Sequence, residues 1–188
     1  MLSNFQLAKL PNLFHMFDSD KNGYLTKHDY LRIINGCAAL RGWEESSQEY
    51  VNLYSTFYGQ WTAITGMANK SDDGQVQLQE FLSFFDHLIH DEENYEMVIN
   101  GVSLAIFGSF DLNDDGVLTA DEYHSFYQVM GLDPALAPNT YKKLDLDSNG
   151  SISIRELSKL VDQFFSSQDP NAPGNELFGA IIVDQEKV

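Results

Sequence analysis

Asp145-Leu-Asp147-Ser-Asn149-Gly150-Ser151-Ile152-Ser153-Ile-Arg-Glu156 is the stretch on which the reading of this 188-residue chain turns. Oxygen-bearing side chains stand at positions 1, 3, 5, 9 and 12 of that window, and glycine stands at position 6. The spacing suits a loop that wraps a hard divalent cation. Ca2+ takes about six to eight oxygens at ~2.3–2.6 Å. Position 7 gives a backbone carbonyl, position 9 often acts through water, and position 12 gives a two-oxygen carboxylate. Glycine takes the sharp turn, where a side chain would be strained.

Two further windows repeat the pattern. They are Asp18-Ser-Asp20-Lys-Asn22-Gly23-Tyr24-Leu25-Thr26-Lys-His-Asp29 and Asp111-Leu-Asn113-Asp-Asp115-Gly116-Val117-Leu118-Thr119-Ala-Asp-Glu122. The predicted ligands are therefore Asp18, Asp20, Asn22, Tyr24, Thr26 and Asp29 in the first loop. In the third they are Asp111, Asn113, Asp115, Val117, Thr119 and Glu122, and in the fourth Asp145, Asp147, Asn149, Ser151, Ser153 and Glu156. The first loop ends in Asp29, one methylene shorter than Glu, so two-oxygen reach is reduced. That moves coordination toward the octahedral geometry Mg2+ demands, and a mixed Ca2+/Mg2+ site is expected there. A weaker window, Asn69-Lys-Ser71-Asp-Asp73-Gly74-Gln75-Val76-Gln77-Leu-Gln-Glu80, has Asn69 and Ser71 where carboxylates are usual. It reads as a structural pseudo-loop that pairs with the first.

The flanks repeat as well. Phe14 and Phe17, Phe107 and Phe110, and Tyr141 and Leu144 precede the three strong loops at the same offsets. Position 8 is Leu25, Val76, Leu118 or Ile152, suited to a short strand joining two loops. After position 12 come Tyr30, Ile33, Ile34; Phe81, Phe84, Phe85; Tyr123, Phe126, Tyr127; and Leu157, Leu160, Val161. Those offsets place one apolar stripe on a helix. The fold expected is all-α: four helix–loop–helix repeats in two pairs, with short β pairing between loops.

The organisation expected is an N-terminal pair over 1–93, a C-terminal pair over 94–168 and a docked tail over 169–188. Pro11 predicts a kink or a late start in the first helix. Ser46-Ser-Gln-Glu49 reads as a capping box opening a long helix to about Met67. Asp91-Glu-Glu-Asn94 reads as a hinge, with the next helix from about Tyr95. Pro138 suits the first turn of a short helix. The tail carries Leu177, Phe178, Ile181, Ile182 and Val183, too apolar to stay in water.

Charge excludes several classes of function. There are 11 Lys+Arg against 28 Asp+Glu, a net charge of -17, which repels nucleic acid. The same charge opposes docking on anionic lipid, and no apolar run is long enough for a membrane span. The stretch from Met1 lacks the pattern of a secretory leader, and Cys37 is the only cysteine. A cytoplasmic location and a monomer are expected. No nucleophile with a neighbouring base, phosphate-cradling glycine loop or zinc signature is legible, so no enzyme is expected. His87 and His90 read most simply as a solvated helix face.

The chain resembles the invertebrate sarcoplasmic calcium-binding protein and calexcitin family, within the EF-hand superfamily. The resemblance rests on the stretched first pair, the degenerate second loop and the Asp that ends the first loop. Two further stretches carry it: Gly131-Leu-Asp-Pro-Ala-Leu-Ala-Pro138 and the tail Phe164-Phe-Ser-Ser-Gln-Asp-Pro-Asn-Ala-Pro-Gly-Asn-Glu-Leu-Phe-Gly179. It implies one compact globule and cytosolic Ca2+/Mg2+ buffering. A calexcitin-like sensor that binds a protein effector is the alternative. Against it, the five Met are scattered at 1, 16, 67, 97 and 130, with no Met-rich groove in prospect. Luciferin-binding proteins and photoproteins share the four-hand layout around an apolar cavity. The terminal Asp184-Gln-Glu-Lys-Val188 lacks the Tyr/Pro ending expected of photoproteins.

Overall fold

The computed structural model describes residues 1–70 and 74–179. The first helix, α1 (Asn4–Phe17), is opened by Ser3. The Ser3 hydroxyl accepts from Gln6 N, and Gln6 Oε1 accepts from Ser3 N at 2.9 Å. This reciprocal cap holds the start of the helix. Pro11 lies inside α1, which starts at Asn4, so of the kink or late start expected the late start does not occur.

Next come β1 (Tyr24–Leu25) and α2 (Lys27–Arg41), which ends on Gly42 in the left-handed region at φ 68. The following helix, α3 (Gln48–Met67), is capped by Ser47, whose hydroxyl accepts from Tyr50 N. The reciprocal box expected at Ser46 and Glu49 is therefore replaced by a single cap one residue later, because Tyr50 at the third helical position has no carboxylate or amide to return the bond. A turn closing from Glu44 O to Ser47 N consumes Ser46 and leaves Ser47 as the first extended residue.

β2 (Val76–Gln77) leads into α4 (Leu78–Ile89) and then α5 (Glu92–Phe110). The hinge expected over Asp91–Asn94 is instead a helix start. Asp91 caps α5 by accepting from Asn94 N, and Glu92 and Glu93 sit in the first turn, where the helix dipole favours acid. β3 (Val117–Leu118), α6 (Ala120–Met130), a 3-10 turn at Pro134–Leu136, α7 (Ala137–Leu144), β4 (Ile152–Ser153) and α8 (Ile154–Ser166) complete the regular elements. A second 3-10 turn follows at Pro173–Glu176.

The short strands join the loops in pairs. Tyr24 faces Gln77 and Leu25 faces Val76; Val117 faces Ser153 and Leu118 faces Ile152, all antiparallel. The position-8 residues Leu25, Val76, Leu118 and Ile152 are all buried, so each pairing is sealed by the core beneath it.

Both pairs drain into one hydrophobic cluster. Phe85 of α4 stacks on Phe165 of α8 at 5.2 Å between ring centres and 8° between planes. Gln6 Nε2 donates to Phe165 O at 2.9 Å, tying α1 to the end of α8. Arg32 of α2 donates to Val129 O in the last turn of α6 and to Met16 O in the last turn of α1.

Of the tail, Leu177 and Phe178 are buried. Phe178 meets Phe164 edge-on at 4.8 Å, and Tyr123 Oη donates to Leu177 O at 2.9 Å. Full burial of such side chains stabilises by roughly 1.5–3 kcal/mol each. Gly174 permits this approach, because a Cβ there would stand 2.3 Å from Leu160 O. The docking expected for Ile181, Ile182 and Val183 lies outside the described residues. Among the described residues no helix is long and apolar enough to cross a membrane.

Candidate metal centres

Loops one, three and four share one backbone. Their first residues, Asp18, Asp111 and Asp145, close the preceding helices at φ -70, -73 and -73. Position 4 is left-handed without glycine: Lys21, Asp114 and Ser148 have φ of 56, 55 and 58. Gly23, Gly116 and Gly150 at position 6 have φ of 85, 86 and 89, where any side chain would be strained. The sequence reading identified the glycines and missed position 4, because no residue type marks it.

In each of these loops the first carboxylate is spread over two amides. Asp18 accepts from Asn22 N and Gly23 N, Asp111 from Asp115 N and Gly116 N, and Asp145 from Asn149 N and Gly150 N, all at 2.8–3.1 Å. The position-9 residues Thr26, Thr119 and Ser153 cap the helices that leave the loops. Their hydroxyls donate to Asp29, Glu122 and Glu156 at 2.8 Å. This hydrogen bond fixes the rotamer of the last carboxylate in each loop.

Carboxylate oxygens of Asp18, Asp20 and Asp29 lie within 4.8 Å of one another, and so do those of Asp145, Asp147 and Glu156. At such a separation, with an effective dielectric near 20, each like pair costs about 3–4 kcal/mol before salt and relaxation. A divalent cation turns that repulsion into attraction. In the fourth loop Glu156 Oε1 is buried with no hydrogen-bond partner, an orphan oxygen that a cation suits. Burial would raise the Glu156 pKa, but the Ser153 amide and hydroxyl, together with the nearby Asp147 and Leu146 amides, outweigh it and hold the carboxyl below its ordinary value.

The third loop is arranged differently. Its acids Asp111, Asp115 and Glu122 do not draw together to the same degree. Glu122 Oε1 instead accepts from Leu112 N at 2.7 Å. Arg41, at the end of α2, donates to the Asp111 carbonyl and lies 2.7 Å from Asp114 Oδ1. Its guanidinium also sits over the Trp43 ring at 5.3 Å. Sequence reasoning missed Arg41, because a partner 70 residues away leaves no periodic mark.

The second loop departs from the other three. Asn69 at its first position has φ 53, a conformation Asn tolerates and one unlike that of Asp18, Asp111 and Asp145. Glu80 accepts from Gln77 N and pairs with Lys70 at 3.0 Å. The Gln77 amide, ahead of the lysine, holds the Glu80 carboxyl below its ordinary pKa. A cation from the loop itself thus occupies the position-12 carboxylate. Ser71 and Asp73 lie outside the described residues.

Comparison with known proteins agrees with this geometry. A family model described as "EF hand" matches residues 104–127 and 142–161. The sarcoplasmic calcium-binding protein of Scylla paramamosain is 30% identical over 181 residues, covering 89% of this chain and 91% of that one. Calerythrin of Saccharopolyspora erythraea is 27% identical over 158 residues, covering 83% of this chain and 89% of that one. The solved sarcoplasmic calcium-binding protein of amphioxus superposes with a TM-score of 0.70 at 19% identity, covering 96% of this chain and 99% of that one.

Proposed function

The chain belongs to the sarcoplasmic calcium-binding protein family, an EF-hand family, and on that premise we propose that it is a cytoplasmic, monomeric Ca2+/Mg2+ buffer with three ion sites. The sites are Asp18–Asp29, Asp111–Glu122 and Asp145–Glu156, with ligands at positions 1, 3, 5, 7, 9 and 12 of each. Mg2+ competes chiefly at the first, where Asp29 ends the loop. The loop from Asn69 to Glu80 acts as a brace, with Lys70 in place of an ion.

One observation carries the buffer reading over the sensor reading. A sensor must uncover an apolar groove on binding Ca2+. Here Leu177 and Phe178 of the same chain already fill the space over Phe126, Phe164 and Phe165. Opening that groove would have to expel them. Met16 and Met130 are buried in the core, so they offer no adaptable surface.

A second reading, a protein effector bound as by calexcitin, has one feature in its favour. A groove of ≈ 900 Å3 runs between α3 and α5, lined in part by Trp43, Leu53, Leu104 and Leu112. Calorimetric titration with calcium, with and without about millimolar magnesium, tests the main reading. Three calcium equivalents, with magnesium weakening chiefly one, are expected. Calcium-dependent capture of an amphipathic helix that magnesium does not support would overturn the buffer in favour of the effector reading.

A further inference from the structure

We propose that Arg41 is a positioning residue through which the first and third loops share their affinity for ions. The inference rests on the reading that both loops bind them. Asp29, the last ligand position of loop one, is in the first turn of α2, and Arg41 is the last residue of that helix. Twelve residues of helix set them about 18 Å apart on one rigid rod. At the far end the guanidinium holds the Asp111 carbonyl and the Asp114 carboxylate. These are groups at positions 1 and 4 that the ligand pattern does not use. Grip and ion can therefore coexist, and the Asp111 carboxylate keeps its own amides from Asp115 and Gly116.

The middle of α2 cannot slip independently. Arg32 holds Val129 O at the end of α6 and Met16 O at the end of α1. Gly36 approaches α6 so closely that a Cβ would lie 3.0 Å from Val129 Cγ1. The helix that leaves loop one is thus fastened to the helix that leaves loop three and to loop three itself. A change in the pose of Asp29 on ion binding displaces α2 as a body. Arg41 passes that displacement to the start of loop three. Coupling of this kind is reciprocal, so loop three influences loop one by the same factor.

The test is a double-mutant cycle in the full chain, titrated with calcium and followed by nuclear magnetic resonance. The amides of Gly23 and Gly116 each bond their own loop's first carboxylate and report the two loops separately. Asp18→Ala disables loop one without altering α2. With Arg41 present it is expected to weaken loop three by about five-fold or more. In the Arg41→Gln background that effect is expected to vanish. Arg41→Lys keeps the charge but not the two-point grip, and is expected to behave as Arg41→Gln; it carries the cycle if the Gln variant misfolds. An equal effect of Asp18→Ala with and without Arg41→Gln, or full coupling in Arg41→Lys, overturns the inference. Failure of Gly23 or Gly116 to respond to calcium in the unaltered chain overturns the ion-site reading instead.

Discussion

Lys9 Nζ donates to Asn175 Oδ1 at 3.1 Å, joining the first helix to the segment that follows the last. The same ammonium reaches Gln163 O at 3.2 Å and Ser167 O at 2.9 Å, the carbonyls at the end of α8. A cation there meets the negative end of the helix dipole. The side chain is fully buried, with the Phe5 and Phe164 rings 5.2 and 5.6 Å away. Burial pushes the Lys9 pKa down from 10.5 to about 8.

Lys9→Met is expected to destabilise the protein by on the order of 1–3 kcal/mol at neutral pH, because it strands buried acceptors. The pH dependence has a definite sign. Between about 8 and 10.5 the folded chain holds less of this proton than the unfolded chain does. Stability from this group therefore rises with pH across that window, by at most about 1.4 kcal/mol per pH unit. Denaturant melts of both proteins should show their difference flat below about pH 8 and growing above it. A difference that stays level throughout contradicts the assignment.

Glu156→Gln removes the carboxylate whose Oε1 has no partner in the fourth loop. Mass spectrometry under gentle conditions should then count two calcium ions in place of three. Glu80→Gln should leave the count at three, since Lys70 already occupies that carboxylate, and should change stability by less than about 1 kcal/mol. A lost ion in the Glu80 variant would make the second loop a true site.

Asp29→Glu restores the methylene missing from the first loop. Titration should show its preference moving from magnesium toward calcium, with the third and fourth loops unchanged. An unaltered preference would place selectivity elsewhere in the loop.

Phe178→Ala empties a place against the Phe164 ring. The cost expected is about 3–5 kcal/mol, with stronger binding of a hydrophobic dye by the folded protein. Dye binding that stays at the level of the unaltered chain would mean that another side chain covers this surface.

Removing metal should loosen the fold, because the acids at Asp18, Asp20 and Asp29, and at Asp145, Asp147 and Glu156, are left facing one another. An ion at about 1,000 times its dissociation constant contributes about 4 kcal/mol per site. Thermal melts followed by circular dichroism should therefore show a much lower midpoint in chelator than in calcium at equal ionic strength. Coincident midpoints would separate ion binding from folding.

The loops and the helices around them were legible because ligand spacing and apolar spacing are both local signals. Gly116 and Phe110 declare themselves within a dozen residues of Glu122. The helix starts at Ser47 and Asp91 were displaced because a serine or aspartate can cap or turn, and the neighbouring turn decides which. Lys9, Arg41 and Lys70 carry the least legible part. Each is a lone cation whose meaning lies in a carbonyl or carboxylate that only folding brings near. The docking of Leu177 and Phe178 was legible from apolarity alone, although the aromatic partners on α6 and α8 were not.

Gln6 and Lys9 have a consequence for the order in which the protein is made. Their partners lie far along the chain, Gln6 reaching Phe165 across 159 residues and Lys9 reaching Asn175 across 166. At a synthesis rate of about 5–20 residues per second, those partners appear roughly 8–33 s after Gln6 and Lys9 themselves. For that interval α1 has its cap and its apolar stripe, but nothing from α8 to close over it. Phe14 of α1 can meet Phe81 of α4 well before that, but the face of α1 that carries Gln6 and Lys9 is sealed only once residues 163–175 exist.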